Sequence, residues 1–355
     1  MIEERVCYPS ELPVGSVVQS DTYTLTGALL LKKHSVIDEY LLKRISSYHG
    51  KIKINVFVPD EEIDESVFKV KSNIDNSLVF TDSFKEYALD SISIIYNNLD
   101  DPNILMQNAI KLSDDICSLI SSNENLELNL SALRISDEYT YKHSVNVGTM
   151  AAIIAARLNK SEQFIKDIGM AGILHDIGKS KIPDAILNKP ARLTDDEFAI
   201  MKKHPAYGYQ MLMNCDVSNS IRNAVLNHHE NIDGSGYPRA LPGEKICDMG
   251  KILSIADVFD ALVSARPYKS AKTAAQAIEI MFGMSNKFDL SYFLTFLNIV
   301  NAYPNGSIVH LSNGEVCKVI EQNPSFPIRP IVCNTQNKVI DLSRDLDYLS
   351  VVIAN

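Results

Sequence analysis

The chain has 355 residues, 46% apolar and 22% charged, as expected of a folded soluble protein with room for roughly two or three domains. A net charge of −10 and a pI near 5.3 argue against a nucleic-acid polymer as partner, because such affinity rests on neutralising many phosphates. A small phosphate ligand needs only a few local cations and stays open. No run approaches the ~18 apolar residues of a membrane span, so no membrane insertion is expected. The opening MIEERVCYPSEL lacks the basic-then-apolar order of a signal peptide, and the expected location is cytoplasmic. The six cysteines are scattered without a CxxC pair, which excludes zinc-finger and disulfide-framework readings and leaves reduced thiols packed in the core.

Residues 1–58 mix short apolar runs with turn signals. VVQSDTYTLTGALLL holds strand-like stretches around Gly27, and a short helical pattern follows from Ile37 to Tyr48. Gly50 sits where a helix C-cap would stand, ahead of the strand-like KIKINVFV. This predicts a small N-terminal α+β module over residues 1–70. The acidic stretch from Pro59 reads as a solvated connector, with a boundary between about 60 and 85. From Phe84 to about Val300 apolar residues recur at spacings of three and four, as in FKEYALDSISIIYNNL and VNVGTMAAIIAARL. Thr194 and Glu197 form a capping box ahead of FAIMKK. An all-helical domain is predicted over 84–300, and helices such as those of 84–121 could pair between chains in a homodimer. After Tyr303–Pro304, SIVHLSNGEVCKVIEQ reads as two alternating strands joined at Asn313–Gly314, and RPIVCN, KVIDL and YLSVVI add further strands. The expected class is mainly α: a central helical domain between the N-terminal module and a small C-terminal β extension, residues 304–355.

Of eight histidines, His34, His49 and His310 stand alone in the flanking modules and read as structural or solvent-facing. The other five, His143, His175, His204, His228 and His229, fall in the helical domain, several beside a carboxylate or a turn. In GILHDIGKSKIP an apolar run ends in His175–Asp176. Neighbouring helical residues point about 100° apart, so one such pair can hold a metal from two sides near a helix end. A carboxylate has two oxygens and can bridge two cations, which an imidazole cannot. His228–His229–Glu230 leads into the glycine-rich turn DGSGYP, the layout of ligands beside a rim. In SIADVFDAL, Asp257 lies among apolar neighbours and needs a cation or hydrogen-bond partner if buried. Asp260, one turn on, is placed to orient a ligand. Arg266 and Lys269 in ARPYKS, three residues apart, can grip a phosphate.

Taken together, YTYKHSVNV at 139–147, HDIGKSKIP at 175–183, KKHP at 202–205, HHENIDGSGYP at 228–238, IADVFDALVSARPYK at 255–269 and FD at 288–289 resemble the HD-GYP branch of the HD phosphohydrolase superfamily. The resemblance covers about residues 130–300. It implies a metal-dependent phosphodiesterase that hydrolyses cyclic di-GMP to pGpG, with a second cut to GMP open to it. The implied metal ligands are His143, His175, Asp176, His204, His228, His229 and Asp257, with Asp176 as the bridge. Lys179 would contact the scissile phosphate, Arg266 and Lys269 the phosphates too, and Tyr237 would shape the pocket rim. Some members with three metals carry a glutamate four residues before the first histidine. Here that position is Tyr139, and Glu138 is one step off, so two divalent ions are expected, iron or manganese from the mixed His/carboxylate set. Two such ions would lower the pKa of a water between them, and the resulting hydroxide would attack phosphorus in line with the leaving 3′ oxygen. The rival readings are a catalytically weak cyclic-dinucleotide receptor that relays a signal through the flanking modules, and an HD hydrolase of another nucleotide such as cyclic GMP-AMP.

Overall fold

The structure, a computed structural model, describes residues 2–12, 14, 17–18, 21–23, 29–33, 35–45, 52–57, 67–70, 81–122, 139–264, 271–324 and 326–354. Gly27, His34, His49, Gly50, Glu138, Arg266 and Lys269, each singled out in the sequence, lie outside the described residues. The chain divides into two compact units, Asn76–Ala302 and, together, Met1–Asp75 with Tyr303–Asn355. No helix among the described residues is long and apolar enough to cross a membrane.

In the second unit, strand β1 (Ile2–Cys7) pairs antiparallel with β5 (Ile52–Phe57), which also pairs with β2 (Val17–Val18). Strands β3 (Thr22–Tyr23) and β4 (Leu29–Leu31) form a separate ladder, and helix α1 (Glu39–Ile45) follows. Leu12, Val18, Leu31, Ile37 and Ile45 pack together beneath these elements. The C-terminal strands β6 (Ile308–His310), β7 (Val316–Glu321), β8 (Ile331–Asn334) and β9 (Val339–Asp341) form an antiparallel meander. Its first turn is the expected one: Leu311 N donates to Glu315 O, and Gly314 takes φ +96°, a conformation that favours glycine. YLSVVI is not a strand. Leu346–Tyr348 is a 3₁₀ turn, and only Ile353 bridges back to Leu311. Asn337 ties the N-terminal segment to these strands, accepting from Lys69 N at 2.6 Å and donating to Val67 O at 3.1 Å.

The helical unit opens where Thr81 caps α2 (Asp82–Asn97), its hydroxyl accepting from Phe84 N. Asp101 caps α3 (Pro102–Ser121), whose proline stands in the first turn, where its missing N–H costs nothing. Helices α4 (Tyr139–Arg157), α5 (Glu162–Leu174), α6 (Asp184–Leu187), α7 (Asp195–Met201), α8 (His204–Leu212), α9 (Asn219–Asn227), α10 (Asp248–Val263), α11 (Ala274–Gly283) and α12 (Leu290–Leu297) follow. The Thr194–Glu197 box caps α7 with both of its hydrogen bonds in place. From His143 to Ala155 every residue of α4 is buried, because this helix packs against α2, α3, α5, α10 and α12. Helix α10 is buried nearly as fully between Met249 and Asp260. A helix apolar on all sides belongs in a core. Among the buried polar residues of α4 and α10, His143, Asn146, Asp257 and Asp260 need partners, and they find them in one place.

Candidate metal centre

Four helix ends and two helix middles converge here. His175 terminates α5, and Asp176 heads the 3₁₀ turn Ile177–Lys181. His204 opens α8, and His228 terminates α9 with His229 next in the chain. His143 projects from the middle of α4, Asp257 and Asp260 from α10. The close approach of α8 to the His175–Lys181 segment requires Gly178, where a Cβ would collide with the His204 carbonyl oxygen and the Gly208 amide.

The backbone orients three of the imidazoles. Nδ1 of His175 lies 2.7 Å from Gly172 O, Nδ1 of His228 lies 2.7 Å from Val225 O, and Nδ1 of His204 lies 2.9 Å from Met201 O. A carbonyl only accepts, so each Nδ1 carries the proton and each Nε2 is turned inward. At His175 and His228 the same bond satisfies a carbonyl that the helix end would leave unpaired. Asp260 orients His143, with Oδ2 2.7 Å from its Nδ1, while Asn146 Nδ2 (2.8 Å) and Ser264 Oγ (3.1 Å) hold that carboxylate in turn. Asp260, expected one helical turn beyond Asp257 as an orienting group, does contact the His143 imidazole. Asn146 did not stand out in the sequence, although it comes three residues after His143 and thus lies on the same helical face.

Asp176 lies between two groups of imidazoles. Its Oδ2 is 3.3 Å from His175 Nε2 and 3.7 Å from His143 Nε2, and its Oδ1 is 3.3 Å from His204 Nε2 and 4.0 Å from His228 Nε2. Asp257 faces His143 Nε2 at 3.1 Å and His229 Nδ1 at 3.6 Å. Three sets bring one ligand atom each within 4.8 Å of the others: His143, His175 and Asp257; His204, His228 and His229; and His175, Asp176 and His228. All of these residues are buried except His229, whose side chain is partly exposed. Lys179 Nζ sits 2.5 Å from Asp176 Oδ2. Tyr237, in the turn after the paired histidines, lays its ring 4.6 Å from that of His229 and 6.3 Å from that of His204.

The electrostatics favour a cation at the centre. His204 Nε2 and His228 Nε2 stand 3.2 Å apart, and His175 Nε2 and Asp176 Oδ1 are buried without a hydrogen bond. Inward lone pairs so close repel unless positive charge lies among them, supplied by protons or by metal ions. Burial, with the neighbouring imidazoles, holds His228 well below its usual range, and burial takes His229 down to about 3 although Asp257 pulls the other way. Those rings resist protonation, as metal-ligating imidazoles must. For Asp176 burial is outweighed by attraction to His175 and Lys179, and for Asp257 chiefly by the hydrogen bond with His143. Both carboxyls lie well below the ordinary carboxylate range. Burial opposes a charge on His143, but Asp257 and Asp260 overcome it and raise the imidazole to about 10, so a metal here would displace a proton. The His/carboxylate donor set fits divalent transition ions.

Residues 120–291 match the family described as HD domain. Over 225 residues the chain is 41% identical to a cyclic di-GMP phosphodiesterase of Pseudomonas aeruginosa, covering 63% of this chain and 54% of that one. This segment is an HD domain. A cyclic di-GMP phosphodiesterase of Thermotoga maritima is 42% identical over 164 residues (44% of this chain, 45% of that one). A 3'3'-cGAMP-specific phosphodiesterase of Vibrio cholerae is 36% identical over 147 residues (41% and 33%). The chain spans about half the length of the first two relatives and a third of the last. HD domains are metal-dependent hydrolases, and the clusters described above could hold metal.

Further residues of this segment, outside the expected ligand set, brace the site. Glu230, 2% exposed, accepts from Arg239 N at 2.8 Å and Leu241 N at 2.9 Å, and Arg239 also donates to Asn227 Oδ1 at 2.9 Å. These bonds fasten the GYP turn to the segment carrying His228 and His229. Gly236 is needed there because a Cβ would collide with Glu230 Cα and the Asn231 amide, while Tyr237 N donates to His229 O at 3.0 Å. The HHE run was the available signal for Glu230; nothing local pointed to Arg239.

Proposed function

We propose that this chain hydrolyses cyclic di-GMP to pGpG, with a second cut to GMP open to it, using two divalent ions, iron or manganese, held by His143, His175, Asp176, His204, His228, His229 and Asp257. The observation that carries this reading is the placement of Asp176, one oxygen toward each of two imidazole groups. Ions bound there would activate water and stabilise charge on the phosphoryl oxygens. The chain's own groups supply the rest. Lys179 brings a fixed ammonium beside Asp176, where it would meet the developing phosphoryl charge and hand a proton to the departing 3′ oxygen. Asp260 and Asn146 hold His143 in one orientation, with its Nε2 turned toward the centre. Burial, with Asp257 and Asp176 nearby, raises the Tyr237 hydroxyl well above its usual pKa, so the rim stays uncharged over the ligands. Arg266 and Lys269 would bind the phosphates from outside the described residues.

Similarity to cyclic di-GMP phosphodiesterases over up to 63% of the chain supports this substrate. Similarity to the 3'3'-cGAMP-specific relative supports a second reading, at lower identity and over less of the chain. The test is anaerobic incubation of iron- and manganese-loaded protein with each cyclic dinucleotide, followed by chromatography. Release of pGpG or GMP from cyclic di-GMP, faster than linear product from 3'3'-cGAMP, is expected. Inertness toward cyclic di-GMP with both metals would overturn the proposal, and faster cleavage of 3'3'-cGAMP would reassign the substrate.

A further inference from the structure

We propose that Phe198 is a nucleobase platform at the mouth of this site, with Lys202 as its cationic neighbour, so that α7 contributes substrate specificity. The inference rests on the cyclic-dinucleotide diesterase reading above and deepens it. Phe198 is 45% exposed, although a phenyl ring is among the groups that gain most from burial. It is not stray surface. Its ring meets Tyr237 edge-on at 6.3 Å and 79°, and Tyr237 in turn covers His229. The ring is thus the next aromatic outward from the ligand cluster. Lys202, one helical turn on, places Nζ 5.2 Å over the Phe198 ring.

The support of this ring is rigid. Helix α7 is started by the Thr194–Glu197 capping box, and Lys189 Nζ binds both oxygens of Glu197, at 2.7 and 2.5 Å. The helix leads within three residues of its end to His204. A phosphodiester seated at the imidazoles carries two nucleosides, and one directed past Tyr237 would meet Phe198. A flat base has a π-face for the exposed phenyl ring, and guanine adds O6 and N7 acceptors that an ammonium such as Lys202 can meet. A bare phosphate or a sugar offers neither.

The test compares wild-type, Phe198→Ala and Phe198→Trp proteins loaded with manganese. The ligands are a non-hydrolysable phosphorothioate of cyclic di-GMP and inorganic phosphate, both titrated calorimetrically, with steady-state kinetics on cyclic di-GMP alongside. Loss of one base–aromatic stack is expected to weaken the dinucleotide analogue at least about fivefold in Phe198→Ala. KM should rise by more than kcat falls, Phe198→Trp should restore binding, and inorganic phosphate should bind all three proteins alike. Dinucleotide affinity unchanged in Phe198→Ala overturns the platform. So does equal weakening of both ligands with loss of manganese, which would mark Phe198 as merely structural. A wild-type protein that binds phosphate but not the dinucleotide also overturns it. Phe198-dependent dinucleotide binding without any turnover would keep the platform and sink the diesterase reading instead.

Discussion

The helical unit buries charged side chains and the C-terminal segment half-buries them, and the two satisfy them in opposite ways. In the strands Glu315 accepts from Tyr348 OH at 2.8 Å, Asn313 Nδ2 at 2.7 Å and Asn334 Nδ2 at 2.8 Å, and Arg329 donates to Leu342 O and Tyr348 O at 2.7 Å each. Each of these donors meets an acceptor within the C-terminal segment. At the metal centre the outward atoms, Nδ1 of His143, His175, His204 and His228, are bonded just as carefully, yet the inward ones face other acceptors. Closed networks hold a fold together, whereas a set of braced acceptors aimed at one point is arranged for a cation.

The contrast predicts different responses to substitution. Asp176→Ala removes the carboxylate that faces both imidazole groups. Turnover should fall by at least about 10³-fold, and bound metal, measured by mass spectrometry, should fall with it. Wild-type activity in that variant would refute the centre. Lys179→Ala should slow kcat by about 10²–10³-fold while metal content stays at the wild-type level, because the ammonium neighbours the site without being a ligand. Metal loss would show that its role is misassigned. Asp260→Ala, which frees His143 to rotate, should weaken metal binding by about 10–100-fold in a chelator competition. Unaltered affinity would mean that the α4–α10 packing alone positions His143.

The smallest effect on activity is expected in the other network. Glu315→Gln keeps the shape but exchanges an acceptor for a donor, and should cost about 1–3 kcal/mol of stability in denaturant unfolding while leaving metal content alone. Burial pushes the Glu315 pKa up, and the bonds from Asn334, Tyr348 and Asn313 outweigh it, so its folded value lies below the ordinary 4.5. A depressed carboxyl stabilises the fold above its unfolded pKa, and that contribution is lost as pH falls from about 4.5 through the folded value. Glu315→Gln should therefore flatten the acid limb of a stability–pH profile, and an unchanged limb would assign it to other carboxyls.

Features whose cause lies within a few residues are legible in the sequence alone. The Thr194–Glu197 box and the Asn313–Gly314 turn depend on bonds spanning three or four positions, and both form as expected. YLSVVI fails because alternation alone does not make a strand: its start is taken up by the 3₁₀ turn Leu346–Tyr348, and only its end reaches the β6 edge, through the Ile353–Leu311 bridge. The opposite error is β1. IEERVC lacks a clean alternation, yet it pairs along its whole length with β5.

The sequence by itself determined that this is a mainly helical chain, with histidines and aspartates gathered in one domain in an order that resembles HD-GYP proteins. Only the tertiary structure decided how they meet. His143 and Asp260 are 117 positions apart and Asn146 and Asp260 114, and no local pattern records such a contact. The split of Asp176 between two imidazole groups, the bracing by Glu230 and Arg239, and the place of Phe198 beside Tyr237 likewise depend on helices brought together by apolar burial. Hydrophobic packing is non-directional, so it sets which helices touch only through the shape of the whole core.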